Sequence, residues 1–307
     1  MRPDINGLII IDKHAGITSA KVVAIVKRLC GARKVGHAGT LDPFATGVLI
    51  CCMNQATKLA TFLLRGNKKY FAVLHLGIET DTQDSTGNII STSDKIEFSK
   101  ETIKEAFDTF KGSVEQFPPV YSALKHKGVP LHKLARKGKA VSKPSRMVNI
   151  LCIEIKQIKL PLIHFEITCT AGTYVRTLCA DIGKHLGCGG HLKELRRLES
   201  SGYGIEDSLT LAELESLKKS GNIEEYLADR IVGMADALPD IPEVIVDGFL
   251  EKKILNGNPI TNKDLVPVET TNRKSLMKAV DSNRNLLSVL RYDKLFEKYT
   301  YCCVFQQ

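Results

Sequence analysis

A chain of 307 residues with 43% hydrophobic and 25% charged content is long enough to bury a substantial core and too apolar for a disordered tract. A formal net charge of +9, with no apolar run near the ~20 residues that span a bilayer, excludes a membrane-spanning helix and favours a polyanionic partner. The N-terminus lacks the layout of a signal peptide, so a cytoplasmic location is expected, and the 9 cysteines form no Cys-x-x-Cys pair and are expected as small buried hydrophobes. Cys188 and His191 alone do not make a tetrahedral site, and no metal is expected.

Gly7 to Lys13 predicts a buried strand, followed by a turn around Gly16. Thr18 or Ser19 caps a predicted helix with Val22, Val23, Ile25, Val26 and Leu29 on its apolar face and Gly31 past its end. In Gly36 to Leu49, two glycines and Pro43 keep the chain out of regular structure and hold Asp42, the residue before the proline, in a rigid loop. Taken alone, Leu-Asp-Pro is more simply a turn. Gly47 to Met53 predicts a strand, and Gln55 to Arg65 a helix closed by Gly66 with Lys58 in its first turn. Lys68 to Glu79, which carries Tyr70, predicts a strand covered on both faces. Asp81 and Asp84 follow in a polar turn whose ligand spacing fails as a calcium loop. Ser99 caps a helix running to Phe110.

At Phe117-Pro118-Pro119 the character changes. Between Lys125 and Arg146 stand eight Lys or Arg and no acidic residue, which leaves 35 basic against 34 acidic residues elsewhere. Clustered cations of this kind displace counterions from a phosphate backbone, and the segment is expected to be an arm with a short helix ending at Gly138. Met147 to Thr170 predicts two long strands broken near Leu160-Pro161, a hairpin central to the sheet. Thr173 to Leu186 predicts a helix with Tyr174 and Arg176 at its start, and Thr210 to Glu213 is a capping box opening another. A two-proline linker from Leu238 to Pro242 suggests a boundary. Beyond it, Glu243 to Val246, Leu265 to Glu269, Leu286 to Tyr292 and Tyr299 to Phe305 predict a compact, mostly-β unit around one short helix.

The string Gly-His-Ala-Gly-Thr-Leu-Asp-Pro-Phe-Ala-Thr-Gly-Val-Leu from Gly36 to Leu49 closely resembles the catalytic motif of the TruB-type pseudouridine synthases. Leu8 to Ser19, with Asp12-Lys13 and Gly16, resembles that family's first motif, and Lys69-Tyr70 its tyrosine motif. Ala171 to Leu178 (Ala-Gly-Thr-Tyr-Val-Arg-Thr-Leu) and Gly190 to Leu198 (Gly-His-Leu-Lys-Glu-Leu-Arg-Arg-Leu) resemble a third and a fourth. Pro119 to Lys125 resembles the opening of the bacterial enzymes' RNA-gripping arm. Similarity runs through about Tyr203; His14 stands where the family usually has proline, and the C-terminal segment matches the family's PUA-like domain only loosely.

The resemblance implies an α+β pseudouridine synthase fold, with a central mixed or antiparallel sheet flanked by helices over residues 1–238. The arm would span about 119–147, and 239–307 would form a small PUA-like RNA-binding domain. It implies isomerisation of the T-loop uridine of tRNA, position 55 in tRNA numbering, by a monomer needing no cofactor and no obligate protein partner. Carried over residue by residue, Asp42 attacks the target nucleotide, at the base or at the ribose C1′. Tyr70 stacks on the flipped base and takes the C5 proton, and Arg176 pairs with Asp42. Tyr174 and Leu195 shape the pocket, and His37 fills the gap that the base leaves. Lys13 and Lys58 support the site, and Lys133, Arg136 and Lys137 grip the RNA. The competing readings are a non-catalytic tRNA-binding or tRNA-folding protein and the catalytic subunit of a guide-RNA particle. The arm after Tyr121 and the short C-terminal domain disfavour the second. A glycosidase would want two opposed carboxylates, and the sequence offers one well placed.

Overall fold

The computed structural model describes residues 5–306 apart from 123, 136, 140, 142, 222–226, 228, 262–263 and 266–275. Strand β1 (Gly7–Lys13) is apolar on both faces because both are covered, as in the interior of a sheet. Thr18 caps α1 (Ser19–Cys30) by accepting the Lys21 amide, and Gly31 closes it in the left-handed conformation. After β2 (Val35–His37) and the loop 38–45, β3 (Thr46–Met53) runs antiparallel to β1, from Met53 opposite Gly7 to Gly47 opposite Lys13.

The helix expected over Gln55 to Arg65 is divided into a 3-10 stretch, Asn54–Leu59, and one α turn, α2 (Ala60–Leu63). Asn54 enters at a φ of 50° and its carbonyl accepts the Thr57 hydroxyl at 2.8 Å, which tightens the first turn. The expected strand Lys68 to Glu79 is likewise divided, into β4 (Lys68–Leu76) and β5 (Ile78–Thr80). Gly77 separates them at a φ of 82°, and a Cβ there would lie 2.7 Å from the Ser93 carbonyl oxygen. There follow β6 (Ile89–Thr92), α3 (Lys100–Asp108) and β7 (Gly112–Gln116). In the arm are β8 (Lys125–His126), β9 (Val129–Pro130) and α4 (Leu131–Ala135).

The chain returns along β10 (Arg146–Lys159) and turns at a cis Leu160–Pro161 bond into β11 (Leu162–Cys169), whose residues alternate buried and half-buried as their parity predicts. Then come α5 (Val175–His185), β12 (Gly190–Ser200), β13 (Tyr203–Gly204), β14 (Leu209–Thr210), α6 (Leu211–Ser220) and β15 (Val232–Gly233). The Thr210–Glu213 capping box forms as expected.

The large sheet has the order β14-β1-β3-β12-β4-β11-β10-β7. It is mixed, since β14 with β1 and β12 with β3 pair in parallel. The β10–β11 hairpin lies toward the β7 end and not at the centre. The centre is taken instead by β12, a strand that apolar periodicity does not announce because five of its eleven residues are charged. Val22, Val26 and Leu214 of α1 and α6 cover Ile9, Ile11 and Leu49 on one face. On the face of the β4–β11 half, Ile103 and Phe107 of α3 and Leu178 and Ile182 of α5 pack on Leu74, Ile163 and Phe165.

A second sheet of β16 (Glu243–Ile245), β17 (Ile260–Thr261), β18 (Leu276–Val280), β19 (Leu286–Asp293) and β20 (Lys298–Val304) has the order β16-β18-β19-β20-β17 and one helix, Gly248–Leu255. Of the runs expected there, Leu265 to Glu269 lies outside the described residues beyond Leu265, and β18 is additional. Val280, Leu286, Val289 and Phe305 of this second unit join Leu8, Ile10, Val48 and Ile50 of the first sheet in one apolar cluster that also contains Ala237 and Leu238. The 9 cysteines are free thiols; all are buried or half-buried except Cys152 and Cys302. Among the described residues no helix is long and apolar enough to cross a membrane.

Candidate active site

The loop that carries Asp42 has little regular structure of its own and is fixed from three sides. The Ser19 hydroxyl at the start of α1 donates to the Leu41 carbonyl and accepts the Leu41 amide, both at 2.9 Å. The Gly16 amide donates to the Pro43 carbonyl at 2.8 Å, and the Lys13 ammonium donates to the same oxygen at 3.2 Å. From β12, Arg197 donates to the Gly39 carbonyl at 3.0 Å and to the Val48 carbonyl at 2.7 Å. Gly47 lets β3 lie directly against β12: at its φ of 101°, a Cβ would stand 2.1 Å from the Arg197 carbonyl oxygen. Gly47→Ala is therefore expected to destabilise the protein by about 3 kcal/mol or more, through overpacking and a forbidden φ. Urea unfolding measures this, and an unchanged midpoint would show that the two strands part without cost.

Arg176 joins the pieces. Placed by the first turn of α5, its guanidinium donates from Nε to Asp42 Oδ2 at 3.0 Å and from Nη1 to Asp84 Oδ2 at 3.2 Å. It also donates to the Thr82 carbonyl at 3.2 Å and to the Tyr121 carbonyl, where the arm begins, at 3.0 Å. The two carboxylates differ in kind. Asp84 is 4% exposed and accepts the Thr82 and Thr86 hydroxyls and the Thr86 amide as well. Asp42 is 35% exposed. Of the two, Asp42 is the one with substantial open surface, whereas Asp84, though it borders a cavity, is closed over by its donors.

Sequence reasoning considered Asp84 only as a calcium ligand and missed its place opposite Arg176. Its one local signal was a carboxylate in a polar turn after the tyrosine strand, and that turn docks on β12 through Gln83 O–Leu192 N and Leu192 O–Ser85 N bonds of 3.0 Å.

A cavity of about 510 Å³ opens on Asp42 and is walled by Tyr70, Tyr174, Leu195, Lys68, Arg146, Arg176 and Arg197. Tyr70 and Arg197 face each other across the β4–β12 register. Burial pushes the Tyr70 phenol up, opposed by the Arg197 charge and hydrogen bond, so the phenol is neutral at pH 7. Tyr174 is held by Gln116 of β7: its amide donates to Gln116 Oε1 at 3.0 Å, and Gln116 Nε2 donates back to its carbonyl at 3.3 Å. Burial lowers Lys68 to about 8, while its ammonium donates to the Leu64 carbonyl at 2.7 Å and to the Gly66 carbonyl at 2.5 Å. A second cavity of about 680 Å³ meets the first at Thr40, Leu41, Asp42, Ser122 and Arg176 and continues past His37, Thr18 and Tyr121.

Lys13 is fully buried beneath the loop; burial lowers it to about 8, against the opposing pull of Asp42, and its ammonium also donates to the Ile17 carbonyl at 2.9 Å and to the His14 carbonyl at 3.0 Å. His37, on β2 beside the second cavity, is lowered by burial and then by Arg197, which favours a neutral ring. Asp42, Tyr70, Arg176, Tyr174 and Leu195 thus share one cavity, with Lys13 beneath and His37 alongside. Lys58 is elsewhere. Its ammonium donates to the Val304 carbonyl at 2.6 Å and lies 5.3 Å from the Phe305 ring, at the second sheet, where the divided 54–63 segment directs it. Lys133 is on α4 and Lys137 is exposed just after it, while Arg136 lies outside the described residues.

Residues 27–175 match the family profile described as TruB family pseudouridylate synthase, N-terminal domain, and residues 176–239 match the tRNA pseudouridylate synthase B C-terminal domain. A protein of Syntrophotalea carbinolica named tRNA pseudouridine synthase B is 46% identical over 83% of this chain and 82% of its own length. One of the same name from Geobacter sulfurreducens is 40% identical over 85% and 84%. Among solved structures, a chain of a Cbf5-Nop10-Gar1 complex superposes with a TM-score of 0.74 at 26% identity, covering 98% of this chain and 84% of that one.

Proposed function

The chain belongs to the TruB family of pseudouridylate synthases, and on that premise we propose that it isomerises one T-loop uridine of tRNA to pseudouridine with Asp42 as the attacking carboxylate. The observation that carries this reading is the Asp42–Arg176 ion pair at the base of a cavity walled by Tyr70. A uridine within paired or stacked RNA reaches such a cavity only by leaving its stack, and an aromatic wall recovers part of that cost.

Isomerisation breaks N1–C1′, forms C5–C1′, removes the proton from C5 and places one on N1, so atoms and electrons balance with no external reagent. Attack at C1′ and addition to the base both require an ionised carboxylate. Arg176 keeps Asp42 ionised by charge and hydrogen bond together, and Asp84 holds the guanidinium in the orientation that does so. The base, once detached, bears the electron pair of the broken bond and meets the cations Arg197 and Lys68 on the cavity wall. Tyr70 stacks on the base as a neutral phenol and gives its proton to N1 of the detached uracil anion. The resulting phenolate, held by the Arg197 charge, takes the C5 proton, so that the net transfer is from C5 to N1. His37, neutral and near the second cavity, takes the space that the extruded nucleotide leaves. We assign catalysis to residues 1–238 and further RNA contact to 239–307.

The test is to incubate the purified protein with an unmodified tRNA transcript and map pseudouridine. Product at the T-loop uridine without any added guide RNA is expected. Binding without product would overturn the catalytic reading in favour of a tRNA-folding protein, and product only with a guide would favour a particle subunit. Replacing Lys133, Arg136 and Lys137 together by glutamine is expected to weaken tRNA binding and to flatten its log–log salt dependence by up to about 2–3 units, the loss of three phosphate contacts. An unchanged slope would place the RNA elsewhere than on the arm.

A further inference from the structure

One cation of the cavity wall has no part in the chemistry above. Arg146 opens β10, where the chain returns from the basic arm. Its guanidinium carbon lies 4.8 Å from the Tyr174 ring centroid. It also packs on Gly172, where a Cβ would stand 3.3 Å from that carbon and at a φ of 94°, so a side chain at 172 would displace it. Among the described residues its hydrogen-bond acceptor is the Gly172 carbonyl alone, no carboxylate pairs with it, and its Nε is shielded from solvent without an acceptor. The other two arginines of the cavity are held by protein acceptors: Arg176 by two carboxylates and two carbonyls, and Arg197, itself buried, by two carbonyls from Nε and Nη2. A guanidinium carries five N–H donors in a planar fork; the outer ones here can reach solvent, but the shielded Nε cannot, and a ligand oxygen that meets it together with an outer N–H recovers that cost. A phosphodiester, with two oxygens in one plane and one negative charge, matches that fork.

We propose that Arg146 binds one of the two RNA backbone phosphates flanking the uridine that enters the cavity, with Tyr174 and Gly172 holding its fork toward that phosphate. This rests on the reading that the cavity receives a uridine of tRNA. It gives Tyr174 a second task, orienting a cation as well as bounding the base.

The test uses a T-arm RNA stem-loop in which the phosphate on the 5′ or the 3′ side of the target uridine is replaced, one at a time, by a neutral methylphosphonate. One of the two replacements is expected to lower wild-type kcat/KM by roughly tenfold, the scale of one charge-assisted fork. Arg146→Gln is expected to lose about the same factor on native RNA and nothing further on that neutral RNA. Arg146→Lys, which keeps the charge without the fork and substitutes for the glutamine variant should that fail to fold, is expected to retain part of the coupling. Losses that multiply for both positions would overturn the proposal and leave Arg146 a structural residue. If native RNA yields no product, the same cycle is read in dissociation constants. Coupling there would retain the phosphate contact while the catalytic reading fails, and its absence would remove both.

Discussion

Asp42→Asn is expected to lower pseudouridine formation by on the order of 10⁴-fold or more, as removal of a covalent nucleophile does, while tRNA affinity stays close to that of the wild type. The amide has nearly the shape of the carboxylate and keeps an oxygen for Arg176 Nε, so the loop anchored by Ser19, Gly16 and Arg197 has no reason to move. What is lost is the negative charge, and with it the attacking group of the proposed reaction. Affinity depends chiefly on contacts between cations and phosphate, which the substitution leaves in place. Single-turnover product mapping and filter binding on the same preparation separate the two effects. Turnover near that of the wild type would move the chemistry to another group, and Asp84, enclosed by its donors, would be a poor substitute.

Arg176→Met is expected to reduce product formation by at least 10²-fold and to cost about 3–5 kcal/mol of stability, because it strands Asp84 as a buried charge and frees Asp42 from its partner. Arg176→Lys is expected to recover only a little of either. A lysine offers one compact charge, whereas this position addresses two carboxylates and two carbonyls in different directions from one plane. Urea unfolding and activity at saturating RNA provide the readouts. A lysine variant with wild-type stability and activity would show that charge alone suffices and that the fork is dispensable.

The elements whose apolar residues recur with one period were legible in the sequence: β1, α1, β3, α3, the alternation of β11, and α5 with its two site residues at the start. Each buries one face or both, and burial writes the pattern. Strand β12 was not legible, because its charged residues Arg196 and Arg197 are held by polar partners that lie far away in sequence. Arg196 pairs with Asp12, and Arg197 reaches Val48 and Gly39. The same cause hid Asp84, whose importance comes from Arg176, 92 positions away. Lys58 shows the converse error: a motif-like position followed the local geometry of Asn54 and Thr57 toward the second sheet and away from the cavity. Local propensity carries the scaffold, whereas buried polar pairing depends on contacts that only the tertiary structure brings together.

The apolar cluster shared by the two sheets bears on how the protein can be dissected. A chain cut at residue 238 would leave Leu8, Ile10, Val48 and Ile50 without the cover of Val280, Leu286, Val289 and Phe305. The newly bared hydrocarbon would lie on strands β1 and β3, which flank the Asp42 loop, and would invite association. A truncated protein that lost activity would therefore report a damaged interior and not a missing RNA contact. The contribution of the C-terminal unit to recognition has to be measured by single substitutions on its outer face, with the molecule kept whole.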